Sequence, residues 1–199
     1  LVIALCVAYI LDQSAKTQAF DRLRTVAALK EAAVNGWVAR VTSDLDVVLH
    51  ADVTRRNLTD LMSGGPGAEA ARETIRRYLR EYLVLTGRMD EFLILDPTGR
   101  VLLSTLRERE GEVQELPKPP PDGRTGPDQP RLGFSRNASG YESAIAVLPL
   151  ESSPGRIAGL LVGKASLYRL ERIMGERSGS GQTGESYLVA SDGTLLAES

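Results

Sequence analysis

Phe92-Leu-Ile-Leu-Asp-Pro-Thr-Gly-Arg-Val-Leu-Leu-Ser-Thr105 is an apolar run, a tight turn and a second apolar run. Pro97 pre-sets the first turn torsion and Gly99 accepts a positive one, so the stretch predicts a β-hairpin with strands over 91–95 and 100–105. The same grammar returns at the end of the chain. FLILDPTGRVLLS (92–104) stands against SYLVASDGTLLAES (186–199), each an apolar strand, an Asp-containing glycine turn, then Leu-Leu and a small polar ending. Such self-similarity reads as an internal repeat of one module, the second copy only begun. A further hairpin is predicted from Ser143–Leu150 and Arg156–Leu167 across Ser152-Ser-Pro-Gly155. Between the first two hairpins lies Leu116–Pro130, with six of the ten prolines. Proline lacks the amide donor, so this stretch is expected to be a surface loop, neither a central strand nor a regular helix.

Upstream of the hairpins the period changes. Val26, Leu29, Ala33, Trp37, Val41, Leu45 and Val48 cover 22 residues in six steps, a helical repeat flanked by Arg22, Arg24, Lys30, Glu31, Arg40 and Asp44. With no proline before Pro66, one continuous helix is expected to about Met62, on the order of 90 Å long. A stripe of that length needs more cover than one small domain, which predicts pairing with the same helix of a second subunit. Ser63-Gly-Gly-Pro-Gly67 ends the run. A second amphipathic helix follows, with Ile75, Tyr78, Leu79, Tyr82 and Leu83 on one face, Arg72, Arg76 and Arg80 on the other, and Gly87 as its stop. Tyr168–Glu176 reads as a short helix and Gly179–Gly184 as a loop.

The first eleven residues, LVIALCVAYIL, carry no charge and end at Asp12-Gln13. They reach roughly 16 Å as a helix, about half a bilayer core. A signal-peptide core fits the length but lacks a small-residue cleavage site at Tyr9-Ile10-Leu11-Asp12. The outer half of a transmembrane helix is the expectation, with Tyr9 at the interface. Both ends of the sequence read as cuts through structure.

The 199 residues are 42% apolar and 25% charged, the composition of a folded globular chain. Lys and Arg number 24 against 26 Asp and Glu, for a net charge of −2, which argues against a nucleic-acid partner. The one cysteine, Cys6, has no disulfide mate and sits in the apolar run, where packing is its role. Gly179-Ser-Gly-Gln-Thr-Gly-Glu-Ser186 nearly spells a phosphate loop, but Glu185 stands where a lysine is needed and the loop precedes a strand. His50, the only histidine, lies on the long helix, so no zinc site and no Ser-His-Asp triad is expected. Asp90-Glu91 at a strand entry reads as exposed gatekeeping charge. No enzymatic activity, cofactor or metal is expected. For binding, Phe134-Ser-Arg-Asn-Ala-Ser-Gly-Tyr141 stands out, read either as an ordinary Ser-Gly loop or as a ligand loop. In the second reading Arg136 supplies a carboxylate clamp, Asn137 a donor and Tyr141 a stacking wall. Ser104 and Thr105, ending the first hairpin, join them as candidates.

Taken together, the pieces at 92–105, Gly159-Leu-Leu-Val-Gly-Lys-Ala-Ser-Leu167, and Gly181-Gln-Thr-Gly-Glu-Ser-Tyr-Leu-Val189 with Asp192-Gly193 resemble the double Cache family. These are extracytoplasmic, PAS-like sensor domains of bacterial histidine kinases, chemoreceptors and cyclases. The resemblance implies an α+β fold with an antiparallel sheet. It orders the chain as half of a transmembrane helix (1–11), a long membrane-emergent dimerisation helix (12–62), a membrane-distal module (63–166), and a connecting helix with the start of a proximal module (167–199). It implies a small-molecule metabolite bound beside the distal sheet, under the loop between the two hairpins, in a membrane-anchored homodimer. Some members recognise amino acids through an Arg-x-Trp-Tyr cluster and a later Asp; here the only Trp is Trp37 and residues 107–136 hold no such cluster. The alternative function is a ligand-free module for dimerisation or partner docking.

Overall fold

A computed structural model describes residues 2–116, 131–136, 142–153, 156–176, 185–189 and 195–198. They belong to two compact units, Val38–Leu167 and Leu1–Trp37 with Tyr168–Ser199. The fold class is α+β, as expected.

In the larger unit three helical segments precede the sheet: α1 (Val2–His50, of which residues from Val38 belong here), α2 (Asp52–Ser63) and α3 (Ala68–Thr86). The expected continuous helix to Met62 is broken at Ala51, whose φ of −61° and ψ of 134° are extended. The break falls in His50-Ala-Asp-Val-Thr54, where Asp and the β-branched Val and Thr are weak helix formers. Asp52 then enters the first turn of α2, where the helix dipole favours an acid. The α2 helix stops at Gly64 and α3 at Gly87, both in the left-handed conformation that glycine adopts without strain. Trp37, Val41, Leu45 and Val48 of α1 are buried as the periodicity predicts, but Leu29 is 56% exposed.

Five strands follow: β1 (Glu91–Leu95), β2 (Val101–Ser104), β3 (Arg131–Arg136), β4 (Glu142–Ser153) and β5 (Arg156–Ser166). They form one antiparallel sheet in the order β2-β1-β5-β4-β3. The β1–β2 turn is held by Asp96, whose carboxylate accepts the Thr98 amide at 2.8 Å, the Thr98 hydroxyl at 2.6 Å and the Arg100 amide at 3.0 Å. Strand β3 was not expected. Its Arg-Leu-Gly-Phe-Ser-Arg has two apolar residues around a glycine, too weak a pattern to read as a strand.

The sheet has two unlike faces. On β5, Gly159 and Gly163 face the helices: a Cβ on Gly159 would lie 2.7 Å from the Met62 methyl and 2.3 Å from the Leu95 carbonyl oxygen, so only glycine fits. By strand alternation Leu160, Val162 and Lys164 point the other way, with Leu93 and Leu95 of β1 and Ile145 and Val147 of β4. Leu93, Leu95, Val101, Ile145, Val147 and Val162 form a buried apolar cluster on that second face, joined by Leu116.

Helix α3 closes the outer edge of β2. Arg72 Nε donates to the Leu102 carbonyl at 3.1 Å, Arg76 Nε to Ser104 at 3.0 Å and Arg80 Nε to Thr105 at 2.8 Å. The arginine face of the helix is thus a ladder on an open strand, and Arg76 is only 2% exposed. Arg76 also pairs with Glu73 and Glu110. Further along the same edge, Val101 N–H donates to the Glu112 carbonyl and Gly111 N–H to that of Val101, both at 2.9 Å.

The smaller unit holds the first part of α1, helix α4 (Tyr168–Gly175) and strands β6 (Tyr187–Val189) and β7 (Leu195–Glu198). The hairpin expected at the end of the chain is present, with its turn outside the described residues. Its register repeats that of β1–β2 down to the irregularity: Leu93↔Ser104, Ile94↔Leu103 and Leu95↔Val101 correspond to Tyr187↔Glu198, Leu188↔Ala197 and Val189↔Leu195. Lys30, placed by the sequence among flanking charges, is buried and donates to the Met174 carbonyl at the end of α4. The stem is covered while the ammonium meets a C-terminal carbonyl. Among the described residues no helix is long and apolar enough to cross a membrane.

Candidate functional site

A carboxylate and an ammonium sit on the second face of the five-stranded sheet, beside its apolar cluster. Glu91, first residue of β1, pairs in register with Lys164 of β5, which pairs with Ile145 of β4. Their charged ends lie 3.4 Å apart, with the Glu91 side chain 5% and the Lys164 side chain 15% exposed. The next row inward is Leu93, Val162 and Val147. Strand alternation therefore aims both charges to the side that carries the apolar cluster.

Two further groups converge on Glu91. Ser104 Oγ donates to Glu91 Oε1 at 2.8 Å, and Arg109 donates to Oε2 at 3.2 Å. Arg109 stands on a 3-10 turn (Arg107–Arg109), and its remaining nitrogens bond Glu112 at 2.7 Å and Gln114 at 3.0 Å. Residues 107–116 thus run as a strap from this turn to Leu116, pinned at one end by Arg109 on Glu91 and at the other by Leu116 on the apolar cluster. Burial holds Lys164 below the usual lysine range, the Glu91 charge opposing this only in part.

The candidates from the sequence do not converge on one point. Ser104 and Thr105 lie beside Glu91 and are buried. The Ser104 hydroxyl is committed to Glu91 and to the Leu106 amide at 2.8 Å, and the Thr105 hydroxyl accepts the Phe92 amide at 3.2 Å. In this arrangement Ser104 orients the Glu91 carboxylate. Arg136 is on β3 opposite Glu142, at the far edge of the sheet from β2, four interstrand steps or roughly 19 Å away. Asn137 and Tyr141 lie outside the described residues, as does the Pro-rich stretch from 117 to 130. Glu91, read from the sequence as exposed gatekeeping charge, is buried instead, and sequence reasoning missed Lys164 and Arg109 as its partners. A lysine at an inward position of Leu-Leu-Val-Gly-Lys-Ala was the one available signal. Among the described residues no group of three or more His, Cys, Asp or Glu could hold a metal ion. His50 is exposed, with Nδ1 2.9 Å from the Asp46 carbonyl oxygen of its own helix.

The architecture is that of known sensor domains. The chain overlays the sensor domain of the V. cholerae histidine kinase DctB with a TM-score of 0.61 at 14% identity, over 94% of this chain and 67% of that one. It overlays the periplasmic domain of RsbU from Chlamydia trachomatis at 0.58 and 16%, over 94% and 66%. A third is the ligand-binding domain of the Pseudomonas aeruginosa amino acid chemoreceptor PctC in complex with GABA, at 0.51 and 15%, over 88% and 73%. The chain therefore spans about two thirds of the DctB and RsbU domains. No family model matches the sequence, and no curated protein does. The fold is shared with periplasmic sensor domains of this PAS-like type, in keeping with the family resemblance of the sequence.

Proposed function

We propose that this chain is the extracytoplasmic, small-molecule-sensing part of a membrane-anchored signalling receptor. In this reading a metabolite binds on the second face of the distal sheet, beneath the strap of residues 107–116. Glu91 and Lys164 form the polar floor. The observation that carries the reading is the buried charged pair beside the apolar cluster of that sheet face. Two charges taken out of water cost more than an apolar pair of equal size, so their presence there argues for recognition of a ligand with a charged group. The fold shared with sensor domains supports it.

The test is a thermal-shift screen of the 199-residue chain against charged metabolites. A ligand at one hundred times its Kd adds about 2.7 kcal/mol, or roughly 5–10 °C for a chain of this size. That shift should vanish in both Glu91→Gln and Lys164→Met. No stabilising compound, or a shift that survives both substitutions, would sink this site.

The receptor is further proposed to be a homodimer through α1. Phe20, Leu23 and Leu29 are large apolar side chains exposed on that helix, as expected of an interface. Sedimentation should show a dimer that Leu23→Glu converts to monomer; a monomeric parent chain would refute it.

A further inference from the structure

Asp44, on α1, is a carboxylate with a side chain only 3% exposed. Arg88 Nε donates to its Oδ2 at 2.7 Å, a second Arg88 nitrogen donates to Oδ1, and the Tyr82 hydroxyl donates to Oδ1 at 2.8 Å. Arg88 stands three residues before Glu91 and one residue after the end cap of α3. The two residues next to this cluster, Leu45 and Met89, press on one point of the sheet. A Cβ built on Gly163 would meet Met89 Cε at 3.0 Å and Leu45 Cδ1 at 3.2 Å. Gly163 immediately precedes Lys164, and the Asp90 amide donates to the Lys164 carbonyl at 2.7 Å. Between α1 and the Glu91–Lys164 floor there is thus a single layer of backbone with no side chain at Gly163 to yield.

We propose that the Asp44–Arg88–Tyr82 cluster is a latch through which α1 reads the state of the Glu91–Lys164 floor, an inference that rests on that floor being the sensing site. Packed interiors transmit small displacements because they cannot deform continuously. A ligand that draws Glu91 or Lys164 out of their pairing moves the start of β1, and Arg88 moves with it. Arg88 is 32% exposed and can be hydrated on leaving, while Asp44 cannot unless α1 itself shifts. The latch therefore has two arrangements, closed, or open with α1 displaced, which is what coupling requires. Burial and the bond to Asp44 push the Tyr82 hydroxyl up to about 12, and the bond to Asp44 holds Arg88 above the ordinary arginine range.

Hydrogen exchange on the 199-residue chain tests this without knowing the ligand. Glu91→Gln should speed exchange several-fold in α1 residues 38–50, across the sheet from the substitution. Asp44→Asn should do the same, and the double variant should exchange no faster than Asp44→Asn alone. Tyr82→Phe, which removes one bond and no charge, serves if Asp44→Asn fails to fold, and it should blunt the Glu91→Gln effect in the same way. Unchanged exchange at 38–50 in Glu91→Gln, or effects that simply multiply in the double variant, would overturn the latch. Either outcome is separable from the sensing reading, because the metabolite-induced thermal shift is lost in Glu91→Gln if that reading holds and is independent of α1 exchange.

Discussion

Arg76→Ala should cost about 3–5 kcal/mol of stability, the penalty for removing one partner of a buried, hydrogen-bonded charge network. The side chain holds the Ser104 carbonyl and the carboxylates of Glu73 and Glu110. Glu110 in turn accepts the Ser104 amide at 3.2 Å. One truncation therefore unseats both main-chain polar groups of a residue that orients Glu91. Burial alone would lower the Arg76 pKa, but its bonds to Glu110 and Glu73 outweigh that and hold it above the ordinary arginine value. The Arg76 bond also holds Glu73 below the ordinary carboxylate range. The sign follows from linkage: this contribution is complete at neutral pH and fades as acid carries the pH below the ordinary glutamate value and through the lowered one. Urea denaturation at neutral pH is the measurement, with exposed Arg77→Ala as a control within about 0.5 kcal/mol of the parent. Arg76→Lys should recover only part of the loss, since an ammonium cannot reproduce the guanidinium fork. A cost for Arg76→Ala no larger than the control would show that the ladder on β2 is dispensable.

Phe92→Ala is expected to be as severe, about 3–5 kcal/mol, through a different cause. The ring is fully buried, points to the helical face opposite Gly163, and meets Tyr82 edge-on with centroids 6.0 Å apart. Deleting it leaves a cavity where Gly163 offers no side chain to fill the space. The midpoint of denaturation should fall with little change in slope, because the surface exposed on unfolding is nearly the same. Phe92→Leu should cost less, as it keeps part of the volume. A loss under about 1 kcal/mol in Phe92→Ala would mean that α1 and α3 collapse onto the sheet.

Both substitutions fall in a region that was only partly legible in the sequence. The hairpins could be read because turn chemistry is local: Pro97 and Gly99 specify β1–β2 whatever surrounds them. The repeat was legible for the same reason, and its register shows that it extends to the backbone. The helix break at Ala51 carries no Pro or Gly, so only the weak preferences of Asp, Val and Thr marked it. Strand β3 owes its existence to pairing with β4, a tertiary gain that overrides a poor local pattern. The arginine row of α3 was legible as a separate charged face, but periodicity distinguishes faces and not what a charged face meets. Glu91 followed the same rule in reverse. An acid at a strand entry is ordinarily exposed, and only the pairing of β1 with β5 sets it beside Lys164.

The two edges of the five-stranded sheet also differ in what they allow. On β2 the outward carbonyls are taken up by arginines and by the segment at 111–112, so a foreign strand finds no free acceptors there. Among the described residues nothing pairs with the outer side of β3. Strand-by-strand growth between molecules is therefore one-ended: two chains could join through β3 and then stop, giving a closed pair. A fibre needs two competent sides, and the guanidinium row removes one of them.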